Sequence, residues 1–134
     1  MAFFISNSAN DTLKFGERFA KTLKGGDVVI LKGEMGAGKT VFVKGVAKGL
    51  GIGDEILSPT YAYMNDYYGK LYHFDCYRLS NGEQAEALGL TDYFYADGVC
   101  LVEWGENISS VLPEKVKIVT IEKTGEEERK IIYE

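Results

Sequence analysis

Apolar residues along this chain recur with two periods, and the switches between them predict an alternation of strands and helices. Asp27-Val28-Val29-Ile30-Leu31-Lys32 is a short, β-branched apolar run of the kind found in a central strand. From Lys39 to Leu50 the spacing changes, with Val43, Val46, Ala47 and Leu50 at i, i+3, i+4 and i+7. That is a helical stripe, closed by Gly49 and Gly51. Upstream, Phe3 to Ser6 reads as a first strand. A helix capped by Asn10 or Asp11 then runs to about Leu23, with Leu13, Gly16, Phe19, Ala20 and Leu23 on one face and Lys24-Gly25-Gly26 as its end.

Downstream, Tyr61 to Tyr68 and Lys70 to Tyr77 are aromatic-rich arms on either side of Gly69, a β-hairpin signature. Alternation in the second arm sends His73, Asp75 and Tyr77 to one face and Tyr72, Phe74 and Cys76 to the other. Asn81 starts a short helix to about Leu88, and Thr91-Asp92 opens a second to Tyr95. Val99 to Trp104 is a near-continuous apolar strand carrying Glu103 at its end. Val116 to Ile121 and Lys130 to Tyr133 are two further strands around the turn Thr124 to Glu127. Between the loop helix and the hairpin, Pro59 biases Ser58 towards extended backbone, so Ile56 to Tyr61 is expected as a defined connection.

A length of 134 residues suits one domain, 1–134, and 46% hydrophobic with 13% aromatic content excludes disorder. The net charge of −5 leaves no basic footprint for nucleic acid, so any RNA is expected to be held by a partner. The amino terminus MAFFISNS has no basic region of a secretory signal, and no apolar run approaches a membrane span. Cys76 and Cys100 lie inside apolar segments rather than in a C-x-x-C pair, which reads as two buried thiols in a reducing cytoplasm.

The chemistry is carried by Gly33 to Thr40, GEMGAGKT, which fits the phosphate-cradling pattern G-x-x-x-x-G-K-[ST]. Such a loop works between a buried strand and a helix N-terminus, and both flanks are present. Glu34, Met35, Gly36, Ala37, Gly38, Lys39, Thr40 and Val41 are therefore the nucleotide-binding candidates, with Lys39 supplying charge and Thr40 a hydroxyl for Mg²⁺. The Ser6 to Asp11 turn is placed to reach a nucleotide base. Metal-assisted hydrolysis also needs a carboxylate from a neighbouring strand end, and two are candidates, Glu103 and Asp75. Glu103 follows a hydrophobic run, where the bland reading is a charge emerging at a strand end. Asp75 stands among aromatic residues, where a partner is required, either a cation or metal-bound water or a plain hydrogen bond.

Thr60 is placed like a switch threonine, with ordinary turn chemistry as the competing reading. His73 reads as a satisfied structural residue, with a proton acceptor as the competing reading, Arg78 as a partner for Asp75 or a phosphate, and Trp104 with Glu106 as either a partner surface or, for the indole, core. No N/T-K-x-D guanine motif occurs, which favours ATP over GTP, and the absence of an arginine-rich lid weighs against a small-molecule kinase. A non-catalytic module gated by ATP is the remaining rival.

GEMGAGKT, Ser58 to Tyr61 (SPTY), Tyr72 to Leu79 (YHFDCYRL), Asp92 to Phe94 (DYF) and Cys100 to Glu106 (CLVEWGE), in this order, resemble the TsaE (YjeE) family across roughly Asn10 to Pro113. These are bacterial P-loop ATPases of tRNA threonylcarbamoyladenosine formation. The resemblance implies a three-layer α/β fold with a mixed parallel and antiparallel sheet, and weak ATP hydrolysis with Mg²⁺. It also implies docking onto a TsaB–TsaD complex, with the isolated chain a monomer. Position by position, it makes Lys39 and Thr40 the phosphate and Mg²⁺ residues and Asp75 and Glu103 the functional carboxylates, Glu103 being the better metal candidate. Thr60 and Trp104 match positions tied to switching and site architecture. Val41 and Cys76 depart from the usual Thr and Leu, and Val41 excludes a secondary hydroxyl contact.

Overall fold

Short capping side chains and the two apolar periods set the elements of this chain. The computed structural model describes residues 2–34, 36–53 and 63–134. They fall into two compact units that interleave along the chain, one holding residues 1–23, 32–57 and 118–134, the other residues 24–31 and 58–117.

The first unit contains strand β1 (Ala2–Ser6), helices α1 (Ala9–Ala20) and α2 (Lys39–Gly49), and strands β6 (Lys117–Lys123) and β7 (Arg129–Tyr133). β7 pairs antiparallel with both β1 and β6. Helix α1 starts earlier than expected because Ser8, not Asn10 or Asp11, is its cap: the Ser8 hydroxyl accepts from Asp11 N at 3.1 Å. The Asp11 carboxylate in turn accepts from Asn7 N at 3.0 Å. The helix also ends earlier, at Ala20, where Lys21, Thr22 and Leu23 close with bonds three residues back. Lys24 to Asp27 form instead a separate turn into the next strand. Phe15 rather than Leu13 is fully buried, joining Phe4, Phe19, Phe42 and Tyr133 in an aromatic cluster.

The two helices of this unit meet along a seam of small residues. A Cβ on Gly16 would stand 2.6 Å from the Phe42 carbonyl oxygen, and one on Gly49 2.6 Å from the Ala20 methyl. Gly49 thus both ends α2 and packs against α1, and the stop is completed by Gly51, at φ 82°, and by Ile52, whose N–H reaches the Ala47 carbonyl at 2.9 Å. At Gly45 a Cβ would collide with the Leu13 carbonyl oxygen. Helix propensity alone would make Gly45→Ala stabilising by up to about 1 kcal/mol. We expect the opposite, a loss of about 1–3 kcal/mol in urea unfolding, because backbone and not a flexible side chain must move.

The second unit holds the first four residues of strand β2 (Val28–Gly33), whose last two residues open the first unit's loop, with β3 (Met64–Tyr67), β4 (Leu71–Asp75), β5 (Val99–Glu103), helix α3 (Gly82–Ala87) and two 3-10 segments, Leu90–Tyr95 and Gly105–Val111. β5 lies between β2 and β4 and is parallel to both, and β3 completes the expected antiparallel hairpin with β4. Parallel and antiparallel pairs together make the mixed α/β arrangement that the resemblance implies. Leu71 to Phe74 and Val99 to Val102 are buried without interruption, as strands covered on both faces must be. Asn81 caps α3 through Gln84 N, as expected. The segment opened by Thr91-Asp92 is 3-10 rather than α and begins at Leu90.

Candidate nucleotide site

The phosphate loop leaves β2 and enters α2 through two glycines in the left-handed region, Gly36 at φ 82° and Gly38 at φ 98°. A residue with a Cβ is strained there, so both glycines are set by backbone conformation. Ala37 N donates to the Glu34 carbonyl, and the helix begins with Phe42 N to the Gly38 carbonyl at 3.1 Å. Whereas α1 and α3 have Ser8 and Asn81 as side-chain caps, α2 has none, and its first turn holds no acidic residue. The first turn of α2 therefore carries the positive end of the helix dipole with no side-chain oxygen against it. A Cβ on Gly33 would lie 3.5 Å from Lys39 Cδ, so the lysine stem folds back over the loop's start. Thr40 and Glu34 are exposed and Val41 half-buried, while Met35 lies outside the described residues.

Arg129, the first residue of β7, is bonded to this loop. Its Nε donates to the Ala37 carbonyl at 3.0 Å and one terminal nitrogen to the carbonyls of Gly125, Glu126 and Glu128. The β6–β7 turn is thereby tied to the phosphate loop. Ser8, Thr12, Gly38, Val41 and Arg129 line one cleft, so the turn before α1 borders the loop. A basic residue 92 positions away gives no local signal; only the tertiary fold brings it to Ala37.

In the second unit, Asp75 and Glu103 are register partners at the C-terminal ends of parallel strands β4 and β5, with half-buried side chains on the same face. Ligands of open α/β folds bind beyond such strand ends. Their backbones are stitched together: Cys76 N donates to the Glu103 carbonyl at 3.0 Å, and Asn107 Nδ2 donates to the carbonyls of Cys76 and Tyr77. Asp75 has the plain hydrogen bond among its two expected partners, Oδ1 accepting from Tyr77 N at 3.0 Å. Arg78 forms no ion pair with it among the described residues. The Glu103 carboxylate meets His73, whose Nε2 lies 2.6 Å from Oε2.

Trp104 is not core: it is 38% exposed, and its indole stands edge-on to Tyr77 with centroids 5.0 Å apart. Its φ of 60° is strained for a bulky residue and turns the chain sharply after Glu103. Thr60 and the Ser58 to Tyr61 turn lie outside the described residues, so the expected switch is not placed.

Both thiols are free and buried, as expected. Burial pushes each up to about 12, with the Asp75 and Glu106 charges adding to the effect at Cys76. Native protein should therefore resist iodoacetamide at pH 8 and take two labels once unfolded, counted by mass spectrometry. The sign for stability follows: the thiols' contribution is complete below the ordinary thiol pKa. It is lost as pH rises towards 12, because the unfolded chain ionises first.

The model of the family "Threonylcarbamoyl adenosine biosynthesis protein TsaE" matches residues 6–131. A Treponema pallidum protein named tRNA threonylcarbamoyladenosine biosynthesis protein TsaE is 43% identical over 129 residues, 95% of this chain and 96% of its own length. A Bacillus subtilis protein of the same name is 41% identical, covering 92% of this chain and 78% of its own length. The crystal structure of Bacillus subtilis YdiB superposes with a TM-score of 0.79 at 36% identity, covering 98% of this chain and 83% of that one. With the phosphate loop, its uncapped helix and the paired carboxylates in place, this chain belongs to the TsaE family.

Proposed function

We propose that this protein is an ATPase of tRNA threonylcarbamoyladenosine formation, hydrolysing ATP with Mg²⁺ in the cytoplasm and acting on a TsaB–TsaD complex that holds the tRNA. The observation that carries this reading is the loop Gly33 to Thr40 opening an α-helix without a side-chain cap. Backbone amides and Lys39 would bind the phosphates; Thr40 in the first unit is the candidate hydroxyl for the metal, and Glu103 in the second unit the candidate carboxylate. Asp75 serves beside Glu103 as the second functional carboxylate. Mg²⁺ keeps several waters and takes one or two carboxylates plus substrate phosphates rather than a protein cage. The donors here suit that habit: an exposed hydroxyl at Thr40 and a half-buried carboxylate at Glu103. When bound, the metal neutralises charge developing on the transferred phosphoryl group.

The names of the relatives support the place in tRNA modification. The test is phosphate release from ATP and Mg²⁺, with and without a TsaB–TsaD pair. We expect slow release alone and faster release in the complex. Nucleotide binding without release in either condition would leave a gated binding module. In cells depleted of their own TsaE, the parent chain should restore the modified nucleoside in tRNA hydrolysates.

A further inference from the structure

The proposed hydrolysis scheme leaves the imidazole of His73 without a task, yet the ring touches the site. His73 sits in the middle of β4, between Asn65 of β3 and Leu101 of β5 in register, and is 2% exposed. Nε2 lies 2.6 Å from Glu103 Oε2. Nδ1 makes no hydrogen bond among the described residues. A carboxylate only accepts, so Nε2 carries the proton of this bond and donates it.

That leaves a buried ring nitrogen unpaired, which costs free energy that a leucine of similar bulk would not incur. Packing therefore gives no reason for histidine at this position. The bond to Glu103 does. A glutamate side chain is long and rotamer-rich, and the Glu103 side chain keeps 15% of its surface exposed, against 3% for His73. A ring clamped in a strand interior removes that freedom, because β4 and β5 run in parallel and His73 stands two residues behind Asp75 on the face it shares with Glu103.

We propose that His73 is a positioning residue. Its Nε2–H holds Oε2 of Glu103 and so presets the carboxylate for Mg²⁺. The inference rests on the reading of Glu103 as a metal-binding carboxylate. Groups that orient metal ligands in this way typically govern about 10–100-fold in metal affinity or activity.

The experiment compares parent, His73→Leu, His73→Gln and Glu103→Gln by titrating Mg²⁺ against binding of a fluorescent ATP analogue that cannot be hydrolysed. Thermal midpoints and metal-free affinity are measured alongside. For His73→Leu we expect an unchanged thermal midpoint and metal-free affinity, with half-saturating Mg²⁺ raised about tenfold. His73→Gln places an amide N–H near the position of Nε2 and should recover most of the loss. The chain has a single histidine, so ¹H–¹⁵N spectra of the unmutated protein report its tautomer directly; the proposal requires Nε2–H. An Nδ1–H tautomer, or a His73→Leu titration matching the parent while that of Glu103→Gln is shifted, overturns the positioning role alone. An unshifted Glu103→Gln overturns the metal reading, and the role of His73 with it.

Discussion

Lys39→Ala should weaken ATP binding by about 100-fold, read by titration of a fluorescent nucleotide, while the thermal midpoint stays within a degree or two of the parent. A charge-assisted contact of this kind is worth about 1.5–3 kcal/mol, and loss near the upper end is the expectation in a cradle otherwise made of backbone amides. The fold should not suffer. Lys39 is the first residue of α2, where alanine is the best helix former, and the helix is anchored by Phe42, Val43, Val46 and Ala47. Nor is there a substitute cation in Arg129, whose Nε and one terminal nitrogen already serve four backbone carbonyls. Lys39→Arg should rescue poorly, since a planar fork replaces a compact ammonium. Binding within threefold of the parent for Lys39→Ala would remove the loop from the nucleotide site.

Local patterns foretold what local physics decides. The β2 run, the α2 stripe, the Asn81 cap and the hairpin around Gly69 each depend on neighbours within a few residues, and all four stand as expected. The Ser8 cap has a local mark too, since Ser8 with Asp11 three residues on is a capping pattern, but Asn10 and Asp11 are equally good cap types close by. Gly49 ends α2 as a glycine near a helix end suggests, but its second role, making room for the Ala20 methyl on another helix, has no local signal.

The same distinction runs through the site. The loop Gly33 to Thr40, Asp75 and Glu103 are candidates that a motif and strand-end placement mark in the sequence. His73, Asn107 and Arg129 could not, since each acts through a partner roughly 30 to 90 positions away, and only strand register and turn geometry deliver them. Trp104 shows a third case. An indole after an apolar strand reads equally as core or surface, and the left-handed backbone at 104 settles it by swinging the ring outwards.

Glu103→Gln and Asp75→Asn should each retain nucleotide binding yet lose turnover by about 10²–10³, because on the proposed reading each removes several kcal/mol of transition-state stabilisation, Glu103 through the metal it would hold and Asp75 by its charge beside it. The amides are chosen over alanine for reasons of geometry. A glutamine at 103 keeps a carbonyl oxygen for the His73 Nε2–H, and an asparagine at 75 keeps Oδ1 for the Tyr77 N–H at the end of β4. Both variants should therefore unfold at the parental midpoint, leaving charge as the only change. Asp75→Ala adds the loss of the Tyr77 bond, about 1 kcal/mol of stability, and so cannot separate the two effects. Single-turnover phosphate release with the partner pair present is the measurement, since slow product release would otherwise mask the chemical step. The two variants should also part company on metal: Glu103→Gln raises the Mg²⁺ needed for half-maximal rate, whereas Asp75→Asn lowers the rate at saturating Mg²⁺. Equal shifts in Mg²⁺ requirement would mean that both carboxylates hold the ion, and parental turnover in both would take the hydrolytic site away from the ends of β4 and β5.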